Sequence, residues 1–361
     1  MTLRVVFRTD ASIQIGTGHV IRCLTLADAL AAKGAQCTFI CREHTGNLVG
    51  YILSKGYGVY VLPLGHGADS SLAHSAWLGA TQAQDIEVCM PLLTKLQADW
   101  LVVDHYALDA PWEVATRKLC TNLMVIDDLA DRLHACSLLL DQTFGRDAQD
   151  YKALVPEDCT LLCGSHYALL RPEFAALRPY SLQRRAQPQL KHLLITLGGV
   201  DKDNVTAQVL DALRASPLPV DCRITVVMGS STAPWLAYVE QKAQVMPWPT
   251  MVRVGVNDMA QLMADSDLAI GAAGATSWER CCLGLPTIMI VLAPNQSAVA
   301  HGLANAGASL VLELNSSFMP QLRSSIAEIC NPATNLMRMS QAARTVVDGQ
   351  GLAAVVTRLG A

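Results

Sequence analysis

The chain has 361 residues, of which 51% are apolar, 16% charged and 5% aromatic, with a formal net charge of −4. That length exceeds one average domain and that composition fills a large core, so a disordered chain is excluded and two α/β domains are expected. Mild acidity, without any Lys/Arg run interleaved with aromatics, argues against a nucleic-acid partner.

No apolar leader opens the chain and no apolar stretch is long enough to span a bilayer, so a cytoplasmic protein without a membrane partner is expected. The 12 cysteines are scattered without a C-x-x-C pair. They read as small buried hydrophobes in a reducing compartment.

In chain order, strand-like apolar runs occupy residues 3–7, 36–40, 59–62, 100–103, 123–126 and 138–140, then 192–196, 222–228, 251–254, 268–270, 287–291 and 309–312. Continuous apolar strands alternating with helices predict parallel sheets covered on both faces. After the first strand comes the turn Gly16-Thr17-Gly18-His19. Beyond it Val20, Cys23, Leu24, Ala27 and Leu30 fall at helical spacing, with His19 in the first turn and Arg22 one turn on. Ligands of open α/β sheets bind at such carboxyl ends of strands. The turn lacks the third glycine of a dinucleotide fingerprint.

An imidazole is the natural proton acceptor for activating water, so His19 is the candidate base. The alternative is an ordinary packing histidine. Carboxylates at strand ends (Asp104, Asp127, Asp128, Asp141) are suited to binding a sugar or orienting a histidine; their spacing does not match a metal site. Asp127-Asp128 equally suits a turn cap. Polar turns between residues 65 and 90 are compatible with a mobile flap.

Residues 178–191, with two prolines, three glutamines and weak apolar periodicity, are the best linker candidate. This predicts domains at 1–178 and 192–345 joined by a linker at 179–191. A helix at 346–361 is expected to pack back on the first domain.

The second half carries Gly271-Ala272-Ala273-Gly274-Ala275-Thr276-Ser277-Trp278-Glu279 after a strand. A helix beginning near Thr276-Ser277 aims unpaired N–H groups at an anion. Glu279 is then placed to accept from ribose hydroxyls. The competing explanation is a capping box of Thr276 and Glu279. Gly198-Gly199 closes another strand and either meets a phosphate or makes a plain turn. Asn295-Gln296 follows a further strand. Together the two halves suggest a cleft with a histidine on one wall and an anion-binding turn on the other.

These motifs in one order resemble the nucleotide-sugar hydrolase family of pseudaminic acid biosynthesis. The resemblance is carried by Arg8-Thr9-Asp10-Ala11-Ser12, residues 15–24, Val102-Val103-Asp104-His105-Tyr106, Asp127-Asp128, residues 139–142 and 167–174, Thr196-Leu197-Gly198-Gly199, residues 271–286 and Asn295-Gln296. It implies a glycosyltransferase-B fold: two Rossmann-like α/β domains facing across a cleft. It implies hydrolysis of UDP-2,4-diacetamido-2,4,6-trideoxy-β-L-altropyranose by water attack at C1 with inversion, with His19 as base and neither metal nor cofactor.

The sugar contacts it implies are Asp10, Ser12, Gly16, Gly18, Arg22, Tyr106, Arg171, Asn295 and Gln296. The UDP contacts are Gly198, Gly199, Met228, Gly229, Met259, Gly274, Ala275, Thr276, Ser277 and Glu279. The partner is a UDP-sugar and the chain is expected to be a monomer. A glycosyltransferase of the same fold and a non-catalytic nucleotide-sugar binder stay open as alternatives, with a dinucleotide-dependent oxidoreductase more remote.

Overall fold

Period-two alternation along the strand Arg4–Thr9 (β1) sends Val5 and Phe7 to one face and Val6 to the other, and each face is roofed by its own apolar cluster. The computed structural model describes residues 2–67, 72–198, 201–229, 233–330 and 334–361. It divides into two units: Met1–Leu169 with Gln350–Ala361, and Leu170–Gly349.

The first unit holds β1, β2 (Gln36–Arg42), β3 (Gly58–Leu62), β4 (Ala98–Asp104), β5 (Cys120–Ile126), β6 (Leu138–Asp141) and β7 (Thr160–Cys163). They form one parallel sheet of order β3-β2-β1-β4-β5-β6-β7. The order reverses between β1 and β4, where Thr9 and Asp104 are register partners. That reversal marks the place where such sheets bind ligands.

The second unit holds β8 (His192–Thr196), β9 (Arg223–Met228), β10 (Thr250–Val254), β11 (Leu268–Ala272), β12 (Thr287–Val291) and β13 (Ser309–Glu313). Their order is β10-β9-β8-β11-β12-β13, again all parallel, with the reversal between β8 and β11. Twelve of the strands match the apolar runs of the sequence. The edge strand β7 was missed because four residues between turns carry almost no periodic signal.

The linker expectation fails in its first part. Helix Pro172–Arg184 runs through residue 178, and it belongs to the second unit. Apart from the buried Phe174, its anchors are polar. Arg178 donates to the carbonyls of Cys282, Val347 and Arg344, and Ser181 Oγ to Leu283 O. Arg185 donates to the carbonyls of Met263, Ala264 and Ser266. Guanidinium groups thus satisfy carbonyls left over at the ends of helices Thr276–Cys282 and Met259–Asp265. Such anchoring leaves no apolar stripe to read.

The flap expectation is also revised. Residues 68–71 lie outside the described residues, but helix Gln82–Leu96 begins with a true capping box of Thr81 and Gln84. Its buried Asp85 takes a bidentate pair from Arg8 and a bond from Arg42, clamping it to β1 and β2. Burial alone would raise the Asp85 carboxyl; the two guanidiniums bring it down to about 2.

Helix Gly351–Arg358 packs on the first unit through Leu352, Val355 and Val356. Its first residue must be glycine: a Cβ there would sit 2.6 Å from Ala168 N and 2.7 Å from Ala168 O. Gly351→Ala is therefore expected to destabilise this unit by about 2–3 kcal/mol through overpacking against backbone. Thermal unfolding checks it, and an unchanged midpoint would contradict the close packing.

All 12 cysteines are free. Among the described residues no helix is long and apolar enough to cross a membrane.

Candidate functional site

In the first unit the candidate residues gather where the strand order reverses. The helix Gly18–Ala31 turns His19, Arg22 and Cys23 inward, and all three meet the carboxylate at the end of β4. His19 Nδ1 lies 2.5 Å from Asp104 Oδ1, and Arg22 reaches the same carboxylate through Nε at 2.6 Å and Nη2 at 2.7 Å. Asp104 is fully buried, which by itself would raise its carboxyl; Arg22 and then His19 override this and hold it far below the usual range. An ionised Asp104 accepts the Nδ1 proton, which leaves the lone pair on Nε2. Among the described residues Nε2 has no hydrogen-bond partner.

Arg22 also donates to Asp128 Oδ2 at 2.6 Å, and Tyr106 Oη donates to the same oxygen at 2.6 Å. Burial, then Asp128, raise the Tyr106 hydroxyl, so it stays a donor. The Tyr106 ring stands edge-on to His19 at 4.6 Å between centroids.

Three expected sugar contacts on this unit, Asp10, Ser12 and Gly16, also bond within it. Asp10 has no exposed surface: it accepts from the Arg42 amide, pairs with Arg8, and lies 3.2 Å from His105 Nε2. It ties the end of β1 to the end of β2. Ser12 Oγ accepts from the amides of Gln14 and Ile15, and Gly16 N–H donates to Ser12 O with Gly16 at φ +80°. Ser12 and Gly16 therefore shape the loop before Gly18, the first residue of the helix.

Behind this cluster, Tyr151 Oη lies 2.7 Å from Asp127 Oδ2 and 2.8 Å from Asp141 Oδ2. One phenolic proton serves one carboxylate, and Asp141 Oδ2 also accepts from Arg146 Nε at 2.7 Å. Burial first and the Asp128 charge second push Asp141 up to about 6. A raised carboxyl contributes stability that is full below its unfolded value and is lost as pH rises through about 6. From pH 4 to 7 the wild type should therefore lose up to ~3 kcal/mol relative to Asp141→Asn. Urea unfolding at the two pH values measures this; parallel curves would refute it.

In the second unit the expected UDP residues lie at or after the carboxyl ends of β8, β9, β10 and β11. Gly198 is exposed with φ +89°; Gly199 lies outside the described residues. Met228 ends β9 in the core and is followed by half-buried Gly229, and Met259 opens its helix half-buried. The helix after β11 starts at Thr276 with Ala275 as N-cap and no side-chain cap, so the capping box does not form. Among the described residues the N–H groups of Gly274, Ala275 and Thr276 make no hydrogen bond. Thr276 and Ser277 hydroxyls instead accept from Arg280, at 3.1 and 3.2 Å.

Arg280 escaped the sequence reading. Its guanidinium is fully buried beneath the turn, also donates to Ala272 O at 2.7 Å, and among the described residues has no carboxylate bound to it. Burial lowers it to about 10, so it still carries its charge at neutral pH. It also explains Gly271, where a Cβ would sit 2.5 Å from Arg280 Nη1. The nearest sequence signal was the lone cation inside an apolar run.

Glu279 is raised by burial and pulled back by Arg171 and Arg280. Arg171 Nη2 is 3.5 Å from Glu279 Oε1, and Arg171 also pairs with Glu173. Arg171 thus belongs with the second unit's residues rather than with Asp10 and Arg22. Gln296 Oε1 accepts from Leu292 N–H, and its Nε2 lies 3.9 Å from where a Gly274 Cβ would stand; Asn295 beside it is exposed.

Comparison with known proteins agrees with this layout. The glycosyltransferase family 28 C-terminal domain matches residues 192–352. Over 308 residues, 84% of this chain and 97% of the relative, the sequence is 28% identical to the UDP-2,4-diacetamido-2,4,6-trideoxy-β-L-altropyranose hydrolase of Campylobacter jejuni. It is 30% identical over 198 residues to the spore coat polysaccharide biosynthesis protein SpsG of Bacillus subtilis, covering 54% of this chain and 57% of that one. Among solved structures, MurG of Acinetobacter baumannii superposes with a TM-score of 0.72 at 17% identity, covering 99% of each chain. UDP-GlcNAc 2-epimerase from Neisseria meningitidis, bound to UDP-GlcNAc, gives 0.64 at 12% identity, again covering 99% of each. At such identities these structures speak for the fold alone. The chain has the glycosyltransferase-B fold, and its residues 192–352 are similar to the glycosyltransferase family 28 C-terminal domain.

Proposed function

We propose that this chain acts on a UDP-sugar, and that its reaction is the hydrolysis of UDP-2,4-diacetamido-2,4,6-trideoxy-β-L-altropyranose to the free sugar and UDP. The observation that carries the reading is His19: buried on Asp104 through Nδ1, it keeps Nε2 unpaired at a strand-order reversal. The hydrolase relative, similar over most of both chains, supports the same choice.

In this mechanism Nε2 of His19 takes a proton from water as the water oxygen attacks C1. The C1–O bond to the diphosphate breaks on the opposite side, so configuration inverts. Asp104 stabilises the imidazolium as it forms. Arg22 and Tyr106 hold the hexose beside His19. The departing diphosphate is received by the N–H groups of Gly274, Ala275 and Thr276, by Gly198 and by the nearby charge of Arg280. Fixed donors of this kind are each worth about 3–4 kcal/mol on a developing anion. Glu279 accepts from the ribose hydroxyls, its carboxylate kept available by Arg171.

The family 28 match over residues 192–352 favours one rival, a transferase that passes the sugar to an acceptor other than water. Proton NMR of the purified protein with the UDP-diacetamido sugar decides between them. Release of UDP and of the inverted free sugar without any acceptor supports hydrolysis; a requirement for an added acceptor supports the transferase.

A further inference from the structure

The first unit carries an aromatic assembly beside His19 of which the mechanism above uses only Tyr106. Tyr106, edge-on to His19, is nearly parallel to Trp77, with centroids 5.9 Å apart and planes 25° apart. His74 packs on both, 4.3 Å from Trp77 and 5.6 Å from Tyr106. The Arg132 guanidinium lies 5.8 Å from the Tyr106 ring centroid.

Trp77 belongs to a one-turn helix, Ser75–Leu78, whose neighbour Leu78 is sunk in the core. The turn closes at Gly79, at φ +66°, where a Cβ would stand 2.6 Å from the His44 ring and 3.1 Å from Leu64. The indole is therefore mounted on a pinned segment, yet it is itself only half-buried.

Trp112 of the same unit shows the contrast. It is fully buried, and its indole N–H donates to Asp85 at 3.0 Å, as a packing tryptophan requires. The indole N–H of Trp77 makes no hydrogen bond among the described residues. A half-exposed indole with an open donor, one ring away from His19, has the composition of a ligand wall rather than of a core.

We propose that Trp77, backed by His74 and Tyr106, is a specificity-determining wall for the hexose, receiving the methyl group of an N-acyl or deoxy substituent on its ring and the acyl carbonyl on its indole N–H. The inference rests on the proposed reaction, which puts C1 of the hexose at His19, so that the neighbouring rings border the sugar and not the uracil. An aromatic face gains by covering a methyl group, whereas a hydroxyl pressed on it loses hydration without a partner. Discrimination by a single methyl-sized contact is typically about 10–200-fold.

The test compares wild type, Trp77→Ala and Trp77→Phe, each checked for folding by circular dichroism. KM and kcat are measured with the UDP-diacetamido-trideoxy sugar and with UDP-GlcNAc, and UDP affinity by calorimetry. The wall predicts that Trp77→Ala raises KM for the diacetamido-trideoxy substrate by about 10-fold or more. It also predicts unchanged UDP affinity, a shrunken preference over UDP-GlcNAc, and partial recovery with Trp77→Phe. An unchanged KM, or an equal weakening of UDP itself, overturns it. If the wild type releases UDP from neither nucleotide sugar, the hydrolase reading falls. The wall is then judged by binding: Trp77→Ala must narrow the affinity gap between the diacetamido sugar nucleotide and UDP, and an unaltered gap overturns the wall as well.

Discussion

Replacing His19 with asparagine is expected to leave binding of the UDP-sugar nearly intact while slowing UDP release by about 10²-fold or more, the usual scale of a lost general base. Asparagine keeps a polar group able to donate to Asp104, so the buried carboxylate is not abandoned and the helix Gly18–Ala31 should stay in place. What disappears is the acceptor at Nε2. Calorimetric titration with the substrate, paired with stopped assays of UDP formation, separates the two effects. Turnover at the wild-type rate would remove His19 from the chemistry.

Asp104→Asn should have the second large consequence, and it reaches both activity and stability. An amide can donate to His19 Nδ1, which stabilises the tautomer whose proton sits on Nε2; the same exchange costs about 10⁴-fold in serine proteases. Arg22 meanwhile loses a carboxylate that takes two of its N–H groups at 2.6 and 2.7 Å. Breaking such a buried pair typically costs about 3–5 kcal/mol. A purely structural loss would lower stability without changing kcat of the folded fraction. The proposed role therefore requires a fall in kcat at temperatures where the variant remains folded, with UDP affinity unchanged. Asp128→Asn is the control: it also touches Arg22 but leaves the His19 partner in place, so its loss in kcat should be much smaller.

Much of the fold was legible because strand and helix signals are local. Apolar runs of three to seven residues separated by amphipathic stretches identify buried parallel strands without reference to anything distant. The flanking glycines and the position after a strand singled out His19 for the same reason. The residues that complete its environment were not legible in that way. Asp104 is 85 positions away, and only the adjacency of β1 and β4 brings it to 2.5 Å.

Asp10 lies close to the site in sequence, and burial alone withdraws it from the surface. Helix Pro172–Arg184 was hidden because guanidinium-to-carbonyl bonds, with no periodicity, hold it. Arg280 and Trp77 sit in no motif that marks them, and their roles show only in the packed chain.

Residue order alone dictates which segments extend, which coil and where glycine must bend the backbone, since those choices depend on neighbours a few positions away. Which carboxylate meets which imidazole, and whether an arginine ends at a carbonyl or a carboxylate, depends on sheet order and on the exclusion of water. Both arise when the chain packs, because electrostatic partners are chosen across space and strengthened by burial.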